Sequence, residues 1–204
     1  MAARKKPAKK AKPAANEDLA EWFALPLYLN MRERALRDPL TGLYHRNRML
    51  DELDLVMLMS RTHHHPFALT IIDLDNLKGV IDRHDRETGD KVLAETADLL
   101  RQSARVMDFL CRTGGDDFAV ILPKSTVDGA RTFADRLLRR FRDNVFCKKT
   151  HKIRMTATAG VFVMNPGHAS LSSLTVLDRA NAELERAKKL GGDRYELAVE
   201  PEDG

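Results

Sequence analysis

A pair of glycines between two short β-rich runs constrains the fold of this chain more than any other feature of its sequence. The runs are residues 108–112 and 118–122, and the segment between them, 113–116, reads Thr-Gly-Gly-Asp. Paired glycines adopt positive φ angles at little cost, so this spacing predicts a tight β-hairpin. A central hairpin with helical segments on both sides indicates an α+β fold.

Helical and strand-like segments alternate around this hairpin from residue 38 onward. Apolar residues recur at helical spacing in residues 47–60, 88–104, 126–142 and 171–190. Residues 67–73, 153–163 and 194–199 are β-rich and predict three further strands. The pattern predicts one domain over residues 38–200.

Charge and hydropathy exclude several classes of protein. Residues 1–15 hold six basic side chains and no acid, which leaves 28 basic against 30 acidic residues in the rest of the 204-residue chain. The net charge of +4 therefore belongs to a basic tail that is predicted to be disordered, and a basic nucleic-acid-binding face over the domain is excluded. The tail could contact anionic partners or act only as a solubilising extension. No apolar run approaches the roughly 18–20 residues of a membrane span, and 2 Cys cannot form a disulfide framework, so we expect a cytoplasmic protein.

Residues 16–37 are predicted to form a lead-in helix. Asn16 can cap a helix whose first turn carries Glu17 and Asp18. The segment is too short for a sensor domain, so we expect it to support dimerisation or to contact a protein partner.

Two acidic turns offer candidate chemistry. Asp73 and Asp75 come where a buried strand ends, and residues 114–117, Gly-Gly-Asp-Asp, form the predicted hairpin tip. Carboxylates from a strand end and a glycine-rich turn can share Mg²⁺, and glycines let a polyphosphate approach the backbone. Lys78 could balance phosphate charge. The alternative is that turns are simply rich in Asp and Gly.

Five segments of the chain resemble, in order, the motifs of GGDEF domains, the diguanylate cyclase family. They are Asp38-Pro39-Leu40-Thr41-Gly42-Leu43 with Arg46, Asp73-Leu74-Asp75-Asn76-Leu77-Lys78, Gly89-Asp90, Gly114-Gly115-Asp116-Asp117-Phe118, and Ala187-Lys188 with Gly191. The resemblance covers about 160 residues and rests on several independent motifs at matching spacing.

The resemblance implies a fold and a reaction. The fold is similar to the palm of polymerases and nucleotidyl cyclases, with a central five-stranded, mainly antiparallel sheet flanked by helices. The reaction condenses two GTP into cyclic di-GMP and pyrophosphate across a homodimer. Mg²⁺ (or Mn²⁺) would be held by Asp73, the backbone of Leu74 and Asp116, with Asp116 and Asp117 as the catalytic acids.

The resemblance also assigns GTP-binding residues. Lys78 and Lys188 would contact phosphate oxygens, and Asp90 would accept hydrogen bonds from the guanine base. The remaining GTP contacts carried over are Asp82, Gly114 and Gly115.

A second site resembles the family's inhibitory RxxD motif. Five residues separate Asp108 from the paired glycines, which places Arg105 and Asp108 where that motif lies. Arginine can grip guanine or phosphate through two parallel hydrogen bonds. The resemblance implies that cyclic di-GMP binds here, with Arg136 on the following helix as a second arginine.

Several positions depart from the family pattern. Ile81 replaces a guanine-binding Asn, Asp85-Arg86 replaces Gly-His, Asp117 replaces Glu, and Gly192-Asp193 replaces an Arg-Asn pair, with Arg194 as a substitute from another direction. Losing one polar contact typically costs about 1–3 kcal/mol. Two hypotheses follow: an active cyclase with product inhibition, or a catalytically degenerate domain that acts as a cyclic di-GMP receptor or interaction module.

Overall fold

A computed structural model describes residues 31, 35–166 and 171–200. The chain divides into two units, residues 1–36 and 37–204. The predicted disordered tail, 1–15, lies outside the described residues, as does most of the predicted lead-in helix, 16–37. Within the described part of the chain, no helix is both long enough and apolar enough to cross a membrane.

The second unit contains a mixed sheet flanked by helices. Its elements are β1 (Tyr44–His45), α1 (Arg46–His63), β2 (Phe67–Leu74), α2 (Leu77–Arg83), α3 (Arg86–Ser103), β3 (Phe109–Gly114), β4 (Asp117–Pro123), α4 (Val127–Asp143), β5 (Ala157–Met164), α5 (Ser173–Lys189) and β6 (Tyr195–Val199). The strand order is β1-β3-β4-β2-β5-β6. The four central strands pair antiparallel, and β1 and β6 join the edges in parallel. The predicted α+β fold is confirmed, and the two-residue β1 adds a sixth strand to the expected five.

Both faces of the sheet are covered by apolar helix faces. One buried cluster joins β2, β4 and β5 to α2, α3 and α4, and the other joins the opposite face of the sheet to α1 and α5. Neighbouring residues of a strand serve opposite clusters, for example Ala68 and Leu69 of β2. Central strands such as β2 are therefore buried on both sides, and the first acid on β2 comes only near its end.

Polar side chains cap the N-termini of three helices. The carboxylate of Asp85 accepts from the backbone N–H of Thr88 at the start of α3. Thr126 and Ser172 cap α4 and α5 in the same way. Each cap satisfies a backbone donor that has no partner within its helix.

Two sequence predictions need correction. The strand predicted over residues 153–163 begins only at Ala157, because Ile153 pairs instead with Phe146 in an isolated antiparallel bridge. The predicted helices also omitted α2, which follows β2 after two residues and buries Leu77 and Val80. A seven-residue helix offers too few turns for its apolar spacing to be recognised.

Candidate active site

Three carboxylates meet where β2 ends and β4 begins. Asp73 of β2 lies opposite Asp117 of β4 in the antiparallel register, and Asp116 is in the turn just before β4. One carboxylate oxygen from each residue lies within 4.8 Å of the other two. All three side chains are half-buried. The fold thus brings together the two acidic turns that the sequence singled out.

Lys188, in the last turn of α5, supplies a positive charge to this carboxylate cluster. Its Nζ lies 2.9 Å from Oδ2 of Asp73 and 3.4 Å from Oε1 of Glu185. Partial burial lowers the pKa of Lys188, but its hydrogen bond to Asp73 and the nearby carboxylates outweigh that effect, so the pKa is raised. The ammonium therefore stays charged and faces the site.

The pKa of Asp117 reflects the crowding of negative charge. Burial, followed by the charges of Asp73 and Asp116, raises this pKa to about 6, against a smaller lowering by Lys188. One ammonium thus leaves three crowded carboxylates under-neutralised. Oxygen ligands in such an arrangement suit a hard divalent cation, so the residues present fit the magnesium that the sequence motifs imply.

We expect the substitution Asp117→Asn to stabilise the metal-free protein at neutral pH. Because the folded-state pKa is raised, the folded state holds more protons than the unfolded state between the ordinary pKa of 3.8 and about 6. Stability is therefore lost as pH rises through that range. In EDTA, the melting temperature of the variant should exceed that of the parent at pH 7.5, and the difference should shrink at pH 4. An equal difference at both pH values would contradict the crowding of charge.

Arg112 anchors the glycine turn beside the carboxylate cluster. Its guanidinium donates through Nε and Nη2 to the carbonyl of Gly115, at 3.1 and 2.7 Å, and through Nη1 to Oδ1 of Asp38 at 3.1 Å. Asp38 is held in turn by Thr41, whose backbone N–H and hydroxyl both donate to it. Gly115 has φ +47°, which glycine adopts without strain. Arg112 therefore fixes the turn that carries Asp116.

The sequence interpretation gave Arg112 no role. Asp38 belongs to a recognised motif, but it lies 74 residues before its arginine partner, so spacing alone could not pair them. A cavity of about 500 Å³ opens beside this anchor. It is lined by Asp38, His45, Arg46, Asn47 and residues 112–115.

Asp75 differs in role from Asp73, although both follow the same buried run. Its carboxylate accepts hydrogen bonds from the hydroxyls of Thr156 and Thr158, each at 2.6 Å. It also accepts from the backbone N–H of Asp193 at 3.2 Å. Asp75 therefore ties the end of β2 to β5 and to the segment after α5, and it does not join the carboxylate cluster.

The predicted guanine-contacting residues lie on α2 and α3. Ile81 of α2 packs against the apolar core, and a Cβ added at Gly89 of α3 would come 2.5 Å from its Cγ1. Asp90 follows Gly89, and Lys78 and Asp82 lie on α2. Within the described residues, no hydrogen bond or ion pair joins Lys78, Asp82 or Asp90 to another side chain. Ile81 thus serves helix packing at a position where the family places a base-binding amide.

The segment after α5 lacks the phosphate-contacting arginine that the family has there. Gly192 and Asp193 both have left-handed backbones, with φ +71° and +49°. Nε of Arg142 donates to both carboxylate oxygens of Asp193, at 2.9 and 3.0 Å. The proposed substitute, Arg194, donates to the carbonyl of Leu190 and faces Glu196. The loop therefore provides no arginine directed at the carboxylate cluster.

The predicted inhibitory site forms a turn between α3 and β3. The backbone N–H of Arg105 donates to Oδ2 of Asp108 at 2.6 Å, and the Arg105 side chain is exposed. Burial raises the pKa of Asp108, and its hydrogen bond to Arg105 and the charges of Arg105 and Arg136 oppose that rise. Arg136 donates to the carbonyl of Ser103 at 2.7 Å. All three predicted residues are thus close enough to interact.

Comparison with known proteins matches this chain to one family. The family described as "Diguanylate cyclase, GGDEF domain" matches residues 35–194. Diguanylate cyclase DgcP of Pseudomonas aeruginosa is 32% identical over 169 residues, which are 83% of this chain and 25% of that protein. Probable diguanylate cyclase DgcE of Escherichia coli is 31% identical over 82% of this chain and 15% of its own length. The chain thus spans a quarter or less of these two curated relatives.

Two solved structures are similar over most of the chain. The coiled coil and GGDEF domain of DgcB from Caulobacter crescentus, in complex with c-di-GMP, has a TM-score of 0.80 at 26% identity, covering 91% of this chain and 96% of that one. Diguanylate cyclase SiaD of Pseudomonas aeruginosa, in complex with its activator SiaC, has a TM-score of 0.78 at 29% identity, covering 89% and 69%. The family match extends over far more than half of the sequence. This chain therefore belongs to the diguanylate cyclase GGDEF-domain family.

Proposed function

We propose that this chain is a diguanylate cyclase that condenses two GTP molecules into cyclic di-GMP with release of two pyrophosphates. The observation that carries this proposal is the carboxylate cluster of Asp73, Asp116 and Asp117, with Lys188 at 2.9 Å from Asp73. Charged groups so close together are costly unless they bind something of opposite charge. A triphosphate that arrives with divalent cations would satisfy both the acids and the lysine.

Each residue of the site has a role in this reaction. Asp73 and Asp116, with the Leu74 carbonyl, would hold Mg²⁺ or Mn²⁺, and bound metal supplies charge neutralisation of the triphosphate and acidification of the attacking hydroxyl. Lys188 and Lys78 bind phosphate oxygens. Gly114 and Gly115 carry no side chain that would obstruct the triphosphate: a Cβ at either would meet nothing within 4 Å. Asp82 on α2 and Asp90 on α3 are the residues proposed to contact the guanine.

The chemistry requires two copies of the chain. Each 3′-hydroxyl attacks the α-phosphorus of the other GTP, so two sites must face one another, and we propose a homodimer that holds one GTP in each subunit. A separate activator protein is a further proposal, since SiaD is in complex with its activator SiaC. Residues 16–37 are the proposed contact for dimerisation or for such a partner.

The test is to incubate nucleotide-free protein with GTP and Mg²⁺ and to identify products by liquid chromatography with mass detection. Appearance of cyclic di-GMP with two equivalents of pyrophosphate would support the proposal. ATP in place of GTP should give no cyclic dinucleotide, because adenine lacks the N–H groups of guanine from which Asp90 would accept hydrogen bonds. Absence of product over a wide range of protein and GTP concentrations, with the protein dimeric, would contradict it.

A second candidate function is a cyclic di-GMP receptor with little or no turnover. Ile81 packs on Gly89, and Arg194 is held by Leu190 and Glu196, so one base contact and one phosphate contact of the family are lost. The inhibitory-site residues Arg105, Asp108 and Arg136 all persist. A domain that has lost GTP contacts but retains this cluster could bind the product without making it.

Under either function, we expect Arg105→Ala to weaken cyclic di-GMP binding. The exposed guanidinium would form charge-assisted hydrogen bonds worth about 1.5–3 kcal/mol, so the dissociation constant should rise roughly 10- to 100-fold. Isothermal titration calorimetry measures the change. Arg101→Ala is not a neutral control, because Arg101 binds the carbonyl of Thr41. The matched control is Arg139→Ala, because Arg139 is an exposed arginine of α4. Unchanged affinity in Arg105→Ala would show that cyclic di-GMP does not bind at this site.

A further inference from the structure

A small cavity of about 220 Å³ lies beside α2, apart from the carboxylate cluster. One wall is α2, and the other is the segment of residues 151–155 that leads toward β5. Gly79 and Arg83 line it and lie one turn apart on the helix. Lys78 and Asp82 lie about 100° around the helix axis from that pair. The cavity therefore lies on a different side of α2 from Lys78 and Asp82, which are proposed to hold GTP.

Basic residues line this cavity on both walls. They are Arg83 and His84 at the end of α2, and His151, Lys152 and Arg154 on the opposite segment, and all five residues are exposed. Within the described residues, no carboxylate forms an ion pair with any of the five. Basic residues at the C-terminus of a helix complement the helix dipole, which explains Arg83 and His84. The dipole of α2 does not explain the three basic residues on the opposite segment.

One carboxylate lines the cavity, and a second interacts with one of its histidines. Asp75 lines it but accepts hydrogen bonds from two threonine hydroxyls and one backbone N–H. Asp85, whose charge interacts with His151, accepts from the backbone N–H of Thr88 at 2.6 Å. Asp75 therefore places one negative charge against three Arg or Lys residues, Arg83, Lys152 and Arg154, and a concave site with such an excess of positive charge attracts anions.

The second wall is held in shape by its backbone. Phe146 and Ile153 exchange two backbone hydrogen bonds of 2.8 Å, which close the loop between them. Inside it, the carbonyl of Cys147 accepts from the backbone N–H groups of residues 150, 151 and 152. This arrangement brings the ring of His151 to 4.4 Å from that of His84. Both imidazoles border the cavity, and a ring N–H of each can donate a hydrogen bond to an anion there.

We propose that this cavity binds a phosphate group: inorganic phosphate, pyrophosphate or the phosphate of a small metabolite. The guanidinium of Arg83 can donate two parallel hydrogen bonds to phosphate oxygens, and Lys152 adds a point charge from the opposite wall. The volume of about 220 Å³ is below the roughly 300–1,000 Å³ of pockets that enclose drug-sized ligands. The site therefore suits the phosphate group and not an entire nucleotide.

The test titrates the full chain, in EDTA and at low ionic strength, with inorganic phosphate, pyrophosphate and glucose 6-phosphate by calorimetry. The three ligands distinguish the sources of the phosphate group, and we expect saturable binding of at least one. Arg83→Gln and Lys152→Ala should each weaken that binding at least fivefold. Lys149→Ala is the matched control, because Lys149 is an exposed lysine of the same loop that does not line the cavity, and its effect should stay below twofold.

Three results would overturn the proposal. One is that none of the three ligands binds. Another is equal weakening in Lys149→Ala and Lys152→Ala, which would indicate non-specific attraction to a basic loop. The third is loss of binding in Lys78→Ala with binding retained in Arg83→Gln, which would locate the anion at the proposed GTP site. Circular dichroism of each variant identifies unfolding, and because no turnover is measured, the result is independent of cyclase activity.

Discussion

The substitution Asp116→Ala is expected to reduce cyclic di-GMP formation by at least about 100- to 1,000-fold. Asp116 supplies one of three carboxylates whose oxygens lie within 4.8 Å of one another. A cation site that loses one acid loses several kcal/mol of transition-state charge stabilisation, and each 1.36 kcal/mol corresponds to a tenfold change in rate. Turnover at fixed GTP and Mg²⁺, followed by release of pyrophosphate, measures the effect.

The controls separate the chemistry of Asp116 from general effects of charge. Asp54→Ala removes an exposed carboxylate on α1 and should leave turnover within twofold of the parent. Asp116→Ala should not lower the melting temperature, because it removes one of three crowded carboxylates. It should retain the affinity for cyclic di-GMP, because the inhibitory-site residues lie on another turn. If turnover persists in Asp116→Ala, Asp116 is not a ligand of the metal.

The substitution Gly160→Ala is expected to have the largest effect on stability. Gly160 lies in β5 where α5 crosses the sheet, and a Cβ there would come 2.2 Å from both the carbonyl oxygen of Ala180 and the backbone nitrogen of Leu184. Backbone atoms of a packed helix cannot move aside as a side chain can. We therefore expect destabilisation of about 3–4 kcal/mol, beyond the usual range for overpacking, measured by urea unfolding.

Gly79→Ala is the matched control for this prediction. The atoms nearest to a Cβ at Gly79 belong to the amide of Asn76, an exposed side chain that can rotate away. Alanine also favours a helix over glycine by about 1 kcal/mol. The control should therefore be neutral or slightly stabilising. If Gly160→Ala lowered the free energy of unfolding no more than Gly79→Ala does, α5 would not lie so close to β5.

The position of Gly160 also affects the proposed active site. The same helix, α5, carries Lys188, so any displacement of α5 from the sheet would move the ammonium away from Asp73. We therefore expect the part of Gly160→Ala that remains folded to have reduced turnover as well.

Much of the carboxylate cluster could be predicted from the sequence because its parts are local. The paired glycines predict a hairpin, and the run that ends at Asp73 predicts a buried strand. Once these strands are adjacent, the end of one and the tip of the other must meet. Family motifs at matching spacing then identify Asp73 and Asp116 as the acids expected to hold a metal.

Other features could not be predicted because their partners are far apart along the chain. Arg112 and Asp38 are 74 residues apart, and Asp75 and Thr158 are 83 apart. A local pattern gives no information on such pairs. The early start predicted for β5 failed for a similar reason, since the β-rich residue Ile153 finds its partner in Phe146 and not in the sheet.

The sequence by itself therefore determined the family, the hairpin and the identity of the acids, since each depends on residue types at short separations. Only the tertiary structure decided which charges meet. It paired Lys188 with Asp73, raised the pKa of Asp117 by burial and by crowding of charge, and packed Ile81 against the core. It also brought His151 against His84 in a basic cavity. Electrostatic energies depend on distance and burial, and folding sets both.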